Sequence, residues 1–580
     1  MERTAARVRW QIAPECRDRL LGPEGLHLQQ WLASGQASVV KNGPHRTVYR
    51  VVLSGLQFYL KHYRLPTLRA WLRQLVRPAK ARMEYERALA VAARGVPTVT
   101  PLGLGEDCSR RGPGESFLIT RSLEDTQPLD AFVLATLPGF DTARRSRIRL
   151  HLAGELAKLI AQMHDAGIVH HDLYAGNVLV HLEANDRLRL YLVDLHAVHL
   201  GWPLNWRRSR DNLIMFTRWF LTHASRTDRL RFWHAYCRCR GPESGLQGGY
   251  DDAPPLRQFL DDRARDLEER TWSSLVRFWR HRDRRCRESN RYYRPIRTGF
   301  GFTSVVGMAL RTLDSTALQS LLQDTDAPFG APDRKLLKDS PSSTVTELKV
   351  SITGQARPAI YKRFRIKSWT IPWLSIFRPT KAIRSWSQGH GLYERGLPTP
   401  RPLAVFHRRR GILDCEGYLL TEKIENAVDL HGFLDHLQGL DAAAARRLLR
   451  RRIDLLGRWI RLLHKHQLSH RDLKAANLLL TGPDCQPHAN GEPRFWFIDL
   501  VGLTRHRKLS RYRVVQNLAR LNASFHAHAA ITRTDRVRFL RCYLQWGLVG
   551  RGGWKKWWRE IDQATLAKVT RNEHTGRPLA

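Results

Sequence analysis

Long apolar runs, paired cysteines and acidic residues are all scarce in this chain of 580 residues. No run of eighteen apolar residues occurs, which argues against a membrane-spanning helix. The eight cysteines are scattered, and the one close pair, Cys237 and Cys239, lacks the spacing of a zinc site. We therefore expect free thiols in a reducing, cytosolic compartment. The first ten residues are charged and lack the apolar core of a secretory signal.

Acidic residues number 54 against 96 lysines and arginines, which gives a formal net charge of +42. Such an excess indicates a polyanionic partner: nucleic acid, an anionic membrane surface or a phosphorylated glycolipid. The simpler interpretation is that the charge only keeps the protein soluble. The basic residues are spread along the whole chain, and neither zinc-finger spacing nor an aromatic RNA-binding motif occurs. We therefore predict no dedicated nucleic-acid module.

An internal repeat organises the chain. The segment 170–177, which runs His-His-Asp-Leu-Tyr-Ala-Gly-Asn, recurs 300 residues later at 470–477 as His-Arg-Asp-Leu-Lys-Ala-Ala-Asn. Further blocks recur in the same order at nearly the same offset, with small drifts that short insertions explain: 59–64 with 360–365, 77–81 with 378–382, 95–98 with 396–399, and 227–232 with 534–539. Ordered blocks at one long period predict a tandem duplication. We expect one domain over residues 1–295 and a second over 296–580.

Each repeat begins with short β-branched and aromatic runs and continues with long helical patterns. The predicted strands are 38–40, 47–53, 58–63, 344–352 and 359–364. The predicted helices are 79–94, 145–166, 381–395 and 442–466. The expected fold class is α+β, with two tandem protein-kinase-like bilobal domains, each having a small β-rich lobe before an α-rich lobe.

The repeated loop fits the kinase catalytic-loop pattern of an aspartate followed five residues later by an asparagine. In the first repeat, Asp172 is the candidate that takes or orients the proton of an attacking hydroxyl. Asn177 and Asp194, which ends a strand-like run, are candidate metal ligands, because hard oxygen ligands suit Mg²⁺. The corresponding residues of the second repeat are Asp472, Asn477 and Asp499.

A strand lysine is needed to hold the α- and β-phosphates of ATP, and Lys61 and Lys362 occupy that place. Its usual partner is a helix glutamate. Glu84 is the candidate in the first repeat, with Glu86 as a rival, whereas the second repeat has Ser385 and Ser387 at those positions.

Two further departures from the kinase pattern stand out. Neither repeat has a G-x-G-x-x-G loop. In its place 41–48 matches 338–345, and we expect Lys41 and Lys338 to cover the phosphates together with backbone amides. His171 replaces the arginine that often receives an activation-loop phosphate, so phosphorylation is not expected to control the first repeat.

The repeated blocks around residues 77–81, 384–386, 396–402 and 534–539 resemble the Kdo/heptose lipopolysaccharide kinase family. These bacterial kinase-like enzymes phosphorylate sugars of the lipopolysaccharide core. The resemblance implies ATP, Mg²⁺, a cytosolic position at the inner-membrane face and a sugar-lipid hydroxyl as acceptor. It covers nearly all of both halves.

The sequence leaves alternatives open. A protein serine/threonine kinase of the same fold has a different hydroxyl acceptor, and fold does not decide between acceptors. A pseudokinase scaffold is the second alternative, since the second repeat has Ser385 at the position that Glu84 occupies in the first. A basic nucleic-acid binder is the third. The sequence predicts no oligomeric state.

The segment from Leu68 to Val76 has its apolar residues at helical spacing, with arginines between them. Such a helix suits an anionic bilayer surface. Packing of the same face on its own lobe is an equally good interpretation.

Overall fold

The computed structural model describes residues 8–576 apart from 108–111, 242–255, 291–292, 298–301, 307–314, 333, 353, 367–371, 374–376, 411–412, 483–491, 527 and 546–552. The chain divides into two compact units, Met1–Ser274 and Leu275–Ala580. The division falls inside the helix Leu256–Arg282, and the domain boundary near residue 295 stays a prediction. In the described part of the chain, no helix combines the length and the apolar character needed to cross a bilayer.

The first unit opens with a six-stranded antiparallel sheet. Its strands lie in the order Val8–Ile12, Pro101–Asp107, Ser116–Arg121, Leu56–Tyr63, Arg46–Leu53 and Ala37–Asn42. Side chains alternate between the two faces of a strand. Phe58 and Leu60 therefore enter the core on one face of their strand, whereas Lys61 and Tyr63 share the other. A small hairpin, Leu21–Gly22 with Gly25–Leu26, lies outside this sheet.

Helices form most of the rest of the first unit. They are Arg17–Leu20, Leu28–Ala33, Leu68–Val76, Lys80–Ala93, Leu129–Ala131, Thr142–Asp165, Trp206–His223, Arg226–Cys239 and Leu256–Arg282. Short strands flank the loops that carry the predicted site residues. They are Thr126–Pro128, Ile168–His170, Val178–Leu182, Leu188–Leu192 and Val198–Leu200. Ile168–His170 pairs with Val198–Leu200, and this pairing brings the ends of the two predicted site loops together.

The second unit repeats this plan with a seven-stranded antiparallel sheet. Its order is Arg294–Arg297, Phe302–Val306, Pro402–Arg410, Leu413–Glu422, Gln355–Phe364, Ser343–Ile352 and Lys335–Ser340. Its helices are Ser315–Gln323, Ala327–Gly330, Lys381–Glu394, Leu430–Gln438, Ala442–Lys465, Arg511–Ala523, Arg533–Leu544 and Gly553–His574. The short strands are Val428–Asp429, Leu468–His470, Leu478–Thr481, Arg494–Phe497 and Leu503–Arg505.

The strands and helices predicted from the sequence are confirmed within one to four residues at their ends. The α+β class is confirmed in both units, each of which places an antiparallel sheet before a helical lobe. The long helices begin where the sequence supplies a cap. Asp141 accepts hydrogen bonds from two backbone N–H groups of Thr142–Asp165, and Asp441 does the same for Ala442–Lys465.

Candidate active site

The loop that carries Asp172 is fixed by hydrogen bonds on both sides. The Asp172 N–H donates to Nδ1 of His170 at 3.2 Å, and Nε2 of His170 donates to the Val193 carbonyl at 3.3 Å. Burial lowers the pKa of His170, which keeps this imidazole neutral and able to accept. The amide Nδ2 of Asn177 donates to the Asp172 carbonyl at 2.8 Å. Its oxygen is therefore turned away from that bond and remains available as a ligand.

Asp194 lies one residue after Val193, in left-handed backbone with φ 60° and ψ 50°. A non-glycine residue in this conformation is strained and is typical of functional sites. One oxygen, Oδ1, contacts Arg46 at 3.1 Å, His196 at 3.3 Å and Lys61 at 3.4 Å. Burial favours the neutral acid, but the hydrogen bond from His196 and the charges of Lys61 and Arg46 outweigh it and hold the pKa of Asp194 well below its usual range.

Lys61 also meets a helix carboxylate, as the sequence predicts. Its Nζ lies 2.5 Å from Oε1 of Glu84, which is buried, and the Tyr63 hydroxyl donates to the other oxygen of Glu84 at 2.6 Å. Both carboxylate oxygens of Glu84 are thus occupied. The rival Glu86 is exposed and lies 3.7 Å from Arg82.

The second unit reproduces the loop bond for bond. The Asp472 N–H donates to Nδ1 of His470 at 3.3 Å, and His470 Nε2 donates to the Ile498 carbonyl at 3.4 Å. Asn477 donates to the Asp472 carbonyl at 2.8 Å and to Oδ2 of Asp472 at 3.1 Å. The same local sequence produces the same loop in both units.

The lysine of the second unit has a different set of neighbours. Lys362 Nζ lies 2.7 Å from Oδ1 of Asp499, which has the left-handed backbone of its counterpart, with φ 52° and ψ 58°. Burial raises the pKa of Asp499, but Lys362 and Lys338 together bring it below its usual value. Ser385 is buried at the position of Glu84, and Phe364 replaces Tyr63, with Lys362 Nζ 5.1 Å from its ring centroid. The second unit therefore has neither the tyrosine nor the glutamate of the hydrogen-bonded Tyr63–Glu84 pair of the first unit.

A buried ion pair holds the second unit's helix Lys381–Glu394 from another direction. Asp283 receives two hydrogen bonds from Arg395 at 2.6 and 2.8 Å, and Arg505 lies 3.1 Å from the same carboxylate. Arg505 ends the short strand that follows the Asp499 loop. Arg505 also donates to the Ser387 carbonyl at 2.6 Å. Asp283 therefore ties the helix to the strand that follows the Asp499 loop.

The turn that replaces a glycine-rich loop is built alike in both units. Thr47 Oγ1 donates to Oδ1 of Asn42 at 3.1 Å, and Thr344 Oγ1 donates to Oδ1 of Asp339 at 3.1 Å. Lys338 of this turn is close enough to Asp499 to lower its pKa. Lys41 is exposed on its strand and has no ion pair with Asp194. Lys338 is also exposed, so the role of both lysines at the phosphates stays a prediction.

A polar triad anchors each catalytic loop to the helical lobe. Nε2 of the fully buried His164 donates to Oδ1 of Asn212 at 3.2 Å, its Nδ1 lies 2.7 Å from the Tyr236 hydroxyl, and Asn212 donates to the His170 carbonyl at 2.8 Å. The second unit has the same triad in His464, Asn517 and Tyr543, but there Oδ1 of Asn517 accepts a hydrogen bond from the His470 N–H at 2.9 Å.

Sequence comparison of the repeats missed Arg46, Tyr63 and His196. Their counterparts are not alike, since Ser343, Phe364 and Val501 stand at those positions. A search for repeated polar residues therefore could not find them. The one available signal was the periodicity of the strand Leu56–Tyr63, which places Tyr63 on the face of Lys61.

The oxygen-rich pair formed by the Asp194 carboxylate and the Asn177 amide suits a hard divalent cation such as Mg²⁺. The Asp499 and Asn477 pair has the same chemistry. In the first unit Glu84, Asp194 and His196 also place ligand atoms within 4.8 Å of one another. Lys61 already contacts both of those carboxylates, so a cation there would have to displace it.

Comparison with known proteins identifies the family. A model of the lipopolysaccharide kinase (Kdo/WaaP) family matches residues 30–236 and 366–543. A lipopolysaccharide core heptose(I) kinase WaaP of Pseudomonas aeruginosa is 28% identical over 189 residues, which are 32% of this chain and 63% of that protein. A 3-deoxy-D-manno-octulosonic acid kinase of Haemophilus influenzae is 36% identical over 153 residues, which are 26% of this chain and 56% of that protein.

The chain thus spans less than two thirds of the length of either relative. A solved structure of WaaP in complex with acyl carrier protein is 23% identical, with a TM-score of 0.31, and the match covers 45% of this chain and 99% of that one. The family model matches more than half of the residues, in two separate regions that contain the two loops. The protein belongs to the lipopolysaccharide kinase (Kdo/WaaP) family and carries the matching region twice.

Proposed function

We propose that the protein is a kinase that transfers the γ-phosphate of ATP to a hydroxyl of a lipopolysaccharide core-type sugar, with one phosphotransfer site in each unit. The observation that carries the proposal is the doubled arrangement of lysine, aspartate, asparagine and aspartate, held by the same loop hydrogen bonds. All of these residues except Lys362 lie within the two regions that match the family. The names of the two relatives above support a sugar acceptor.

The residues have separate roles in this proposal. Asp172 and Asp472 are exposed at the loop surface and orient the acceptor hydroxyl and take its proton. Lys61 and Lys362 hold phosphate oxygens, with Lys338 as a second cation in the second unit. Asp194, Asn177, Asp499 and Asn477 bind Mg²⁺, which neutralises charge on the transferred phosphoryl group. Catalysis then consists mainly of positioning and electrostatic stabilisation.

The acceptor is tested with labelled ATP and two pools, fractionated envelope glycolipids and envelope proteins. We expect label in the sugar of the glycolipid pool. The double variant Asp172→Asn with Asp472→Asn serves as the blank and should lower transfer by about 10²-fold or more. Label confined to protein would favour a protein serine/threonine kinase, and full transfer by the blank would contradict the site assignment.

A second candidate applies to the second unit alone. Because Lys362 lacks a helix carboxylate and Ser385 is buried in its place, this unit has the composition of a nucleotide-binding scaffold without turnover. If the Asp172→Asn variant binds ATP but transfers no phosphate, the second unit is a pseudokinase. We favour an active second unit, because the loop bonds of Asp472 and Asn477 are intact.

We also propose that the helix Leu68–Val76 rests on an anionic membrane surface at the cytoplasmic face of the inner membrane. Leu68, Leu72, Leu75 and Val76 are exposed, between 51% and 87% of their side-chain surface. Trp71 instead packs on its own lobe, where its ring fills the space that a side chain at Gly112 would need. An exposed apolar stripe on a strongly basic protein suits interfacial binding.

Leu72→Glu is the variant that tests this contact, since Trp71→Glu would also disturb the lobe. Sedimentation with vesicles containing anionic phospholipid should show weaker binding of Leu72→Glu. The control is Leu150→Glu, which changes an equally exposed leucine (50%) on another helix of the unit. Equal binding by both variants and the parent protein would end the membrane proposal.

A further inference from the structure

Tyr174 stands two residues after Asp172 and is 44% exposed. It is a large aromatic side chain at the surface of the loop on which the acceptor must arrive. Its backbone is extended, with φ −145° and ψ 169°, and its carbonyl accepts a hydrogen bond from the Asn177 N–H at 2.9 Å. The backbone of Tyr174 is thus fixed by the same turn that holds Asn177.

The Tyr174 ring folds back over Gly176. A Cβ atom at residue 176 would lie 2.6 Å from Cε2 and 3.2 Å from Cζ of the ring, and 3.3 Å from Oδ2 of Asp130. Distances this short exclude any side chain at residue 176 while the ring keeps its place. The ring of Tyr174 therefore packs against Gly176, while 44% of the residue's surface stays exposed.

The surroundings of the ring are rich in carboxylates. Partial burial and then the charges of Asp172, Asp194 and Asp130 raise the pKa of Tyr174, with Arg46 opposing them. An uncharged aromatic face among carboxylates suits an uncharged ligand, because an anionic group at this place would be repelled. The C–H groups of a sugar ring are attracted to the electron-rich face of an aromatic ring.

The second unit changes both members of the pair. Lys474 stands at the position of Tyr174, and Ala476 stands at the position of Gly176. Further cations gather near Asp472: the charges of Asp472 and Arg471 both act on the half-buried Arg520. Arg471 occupies the position of His171. In the first unit the charge of Asp172 likewise acts on the half-buried Arg218. The two loops therefore differ chiefly in that the first has an uncharged tyrosine where the second has a lysine.

We propose that Tyr174 selects a neutral sugar ring as the acceptor of the first unit, and that Lys474 selects an acceptor bearing a carboxylate or phosphate in the second. This inference rests on the proposed function, since it assumes that a hydroxyl acceptor meets each loop. It makes Tyr174 and Lys474 specificity-determining residues and gives the two units different acceptors.

The test uses two matched probes, methyl glucoside and methyl glucuronide, which differ only at C6, where the hydroxymethyl group of the first is a carboxylate in the second. Labelled-ATP transfer is measured with the full chain. The Asp472→Asn background reports on the first unit, and the Asp172→Asn background reports on the second. We expect the first unit to prefer the glucoside and the second to prefer the glucuronide.

Tyr174→Ala should raise the KM for the glucoside about tenfold, the worth of one aromatic contact, with little change in the KM for ATP. Tyr174→Phe keeps the ring and should restore most of the affinity lost in Tyr174→Ala. Tyr174→Lys combined with Gly176→Ala should shift preference toward the glucuronide, and Lys474→Tyr with Ala476→Gly should shift it back in the second unit. Trp202→Ala, which removes another exposed aromatic ring of the first unit, is the control.

The two levels of the proposal fail differently. If the parent protein labels both probes and Tyr174→Ala changes neither their KM values nor their ratio, the inference about Tyr174 is wrong and the kinase assignment stands. A rise confined to the KM for ATP would place Tyr174 at the nucleotide and contradict acceptor selection. A parent protein that hydrolyses ATP but labels neither probe contradicts both the inference and the sugar-kinase assignment.

Discussion

At the scale of single residues, the two sites share what the chemistry requires and differ in what supports it. Lys61 contacts Asp194 and Lys362 contacts Asp499, ion pairs that the sequence comparison did not predict. The sequence did identify Glu84 over Glu86. It could not identify Arg46, because Arg46 is the first residue of its strand and has Ser343, not an arginine, as its counterpart in the second unit. Contacts made only in three dimensions between distant segments leave no local pattern in the sequence.

Glu84→Gln tests the support of Lys61. Removing the buried negative charge leaves Lys61 tied only to Asp194, so phosphate transfer by the first unit should fall by about 10²-fold. The measurement is the rate of labelled-ATP transfer in the Asp472→Asn background. Glu86→Gln, which alters an exposed glutamate on the same helix, should leave the rate unchanged. Equal rates for both variants would show that Glu84 has no part in the reaction.

The buried histidines His164 and His464 predict how stability depends on pH. Burial lowers the pKa of His164 to about 3 and that of His464 to about 4. Below pH 6.5, these two histidines therefore bind protons in the unfolded chain but stay neutral in the folded chain. Stability is highest above that pH and falls as the pH drops toward the folded values, by about 1.4 kcal/mol per pH unit for each histidine.

Urea unfolding between pH 7.5 and 5 measures this slope. His164→Gln should reduce the slope of the unfolding free energy against pH by the contribution of one histidine. His199→Gln, which changes an exposed histidine, should keep the slope of the parent. A His164→Gln slope equal to that of the parent would contradict the assignment of a neutral buried His164.

At the scale of elements, periodicity predicted the strands and helices well because each buries one face. The strap formed by Asp283, Cys286 and Tyr293 was not predicted from the sequence. It has no partner block in the repeat, and its contacts join residues about a hundred positions apart. The Cys286 carbonyl accepts a hydrogen bond from Trp386 at 2.9 Å, and the Tyr293 hydroxyl donates one to Glu394 at 3.0 Å. The second unit therefore holds its helix Lys381–Glu394 by a strap and a buried ion pair, where the first uses Lys61 and Glu84.

Asp283→Asn tests the strap. Removing one partner of a buried pair leaves Arg395 and Arg505 without their counter-charge, which should cost about 3 kcal/mol of unfolding free energy in the second unit. Chemical denaturation measures the loss. The control Asp262→Asn breaks an exposed pair with Arg265 and should cost less than about 1 kcal/mol. Comparable losses of unfolding free energy for the two variants would contradict the claim that the buried Asp283 ion pair stabilises the second unit.

At the scale of the whole molecule, the chain carries two units with the same loop geometry and different surroundings. The first has Tyr63, Glu84 and Tyr174 at positions where the second has Phe364, Ser385 and Lys474. These are changes in the groups that position the lysine and in those that meet the acceptor. They motivate our proposal that each unit phosphorylates its own acceptor and that neither replaces the other.

The most direct test compares labelled-ATP transfer to envelope glycolipids by four proteins: the parent, Asp172→Asn, Asp472→Asn and the double variant. The account predicts two labelled products from the parent, a different one lost with each single variant, and none from the double variant. If either single variant abolishes all transfer, or if neither changes the products, the claim of two separate phosphotransfer sites is contradicted.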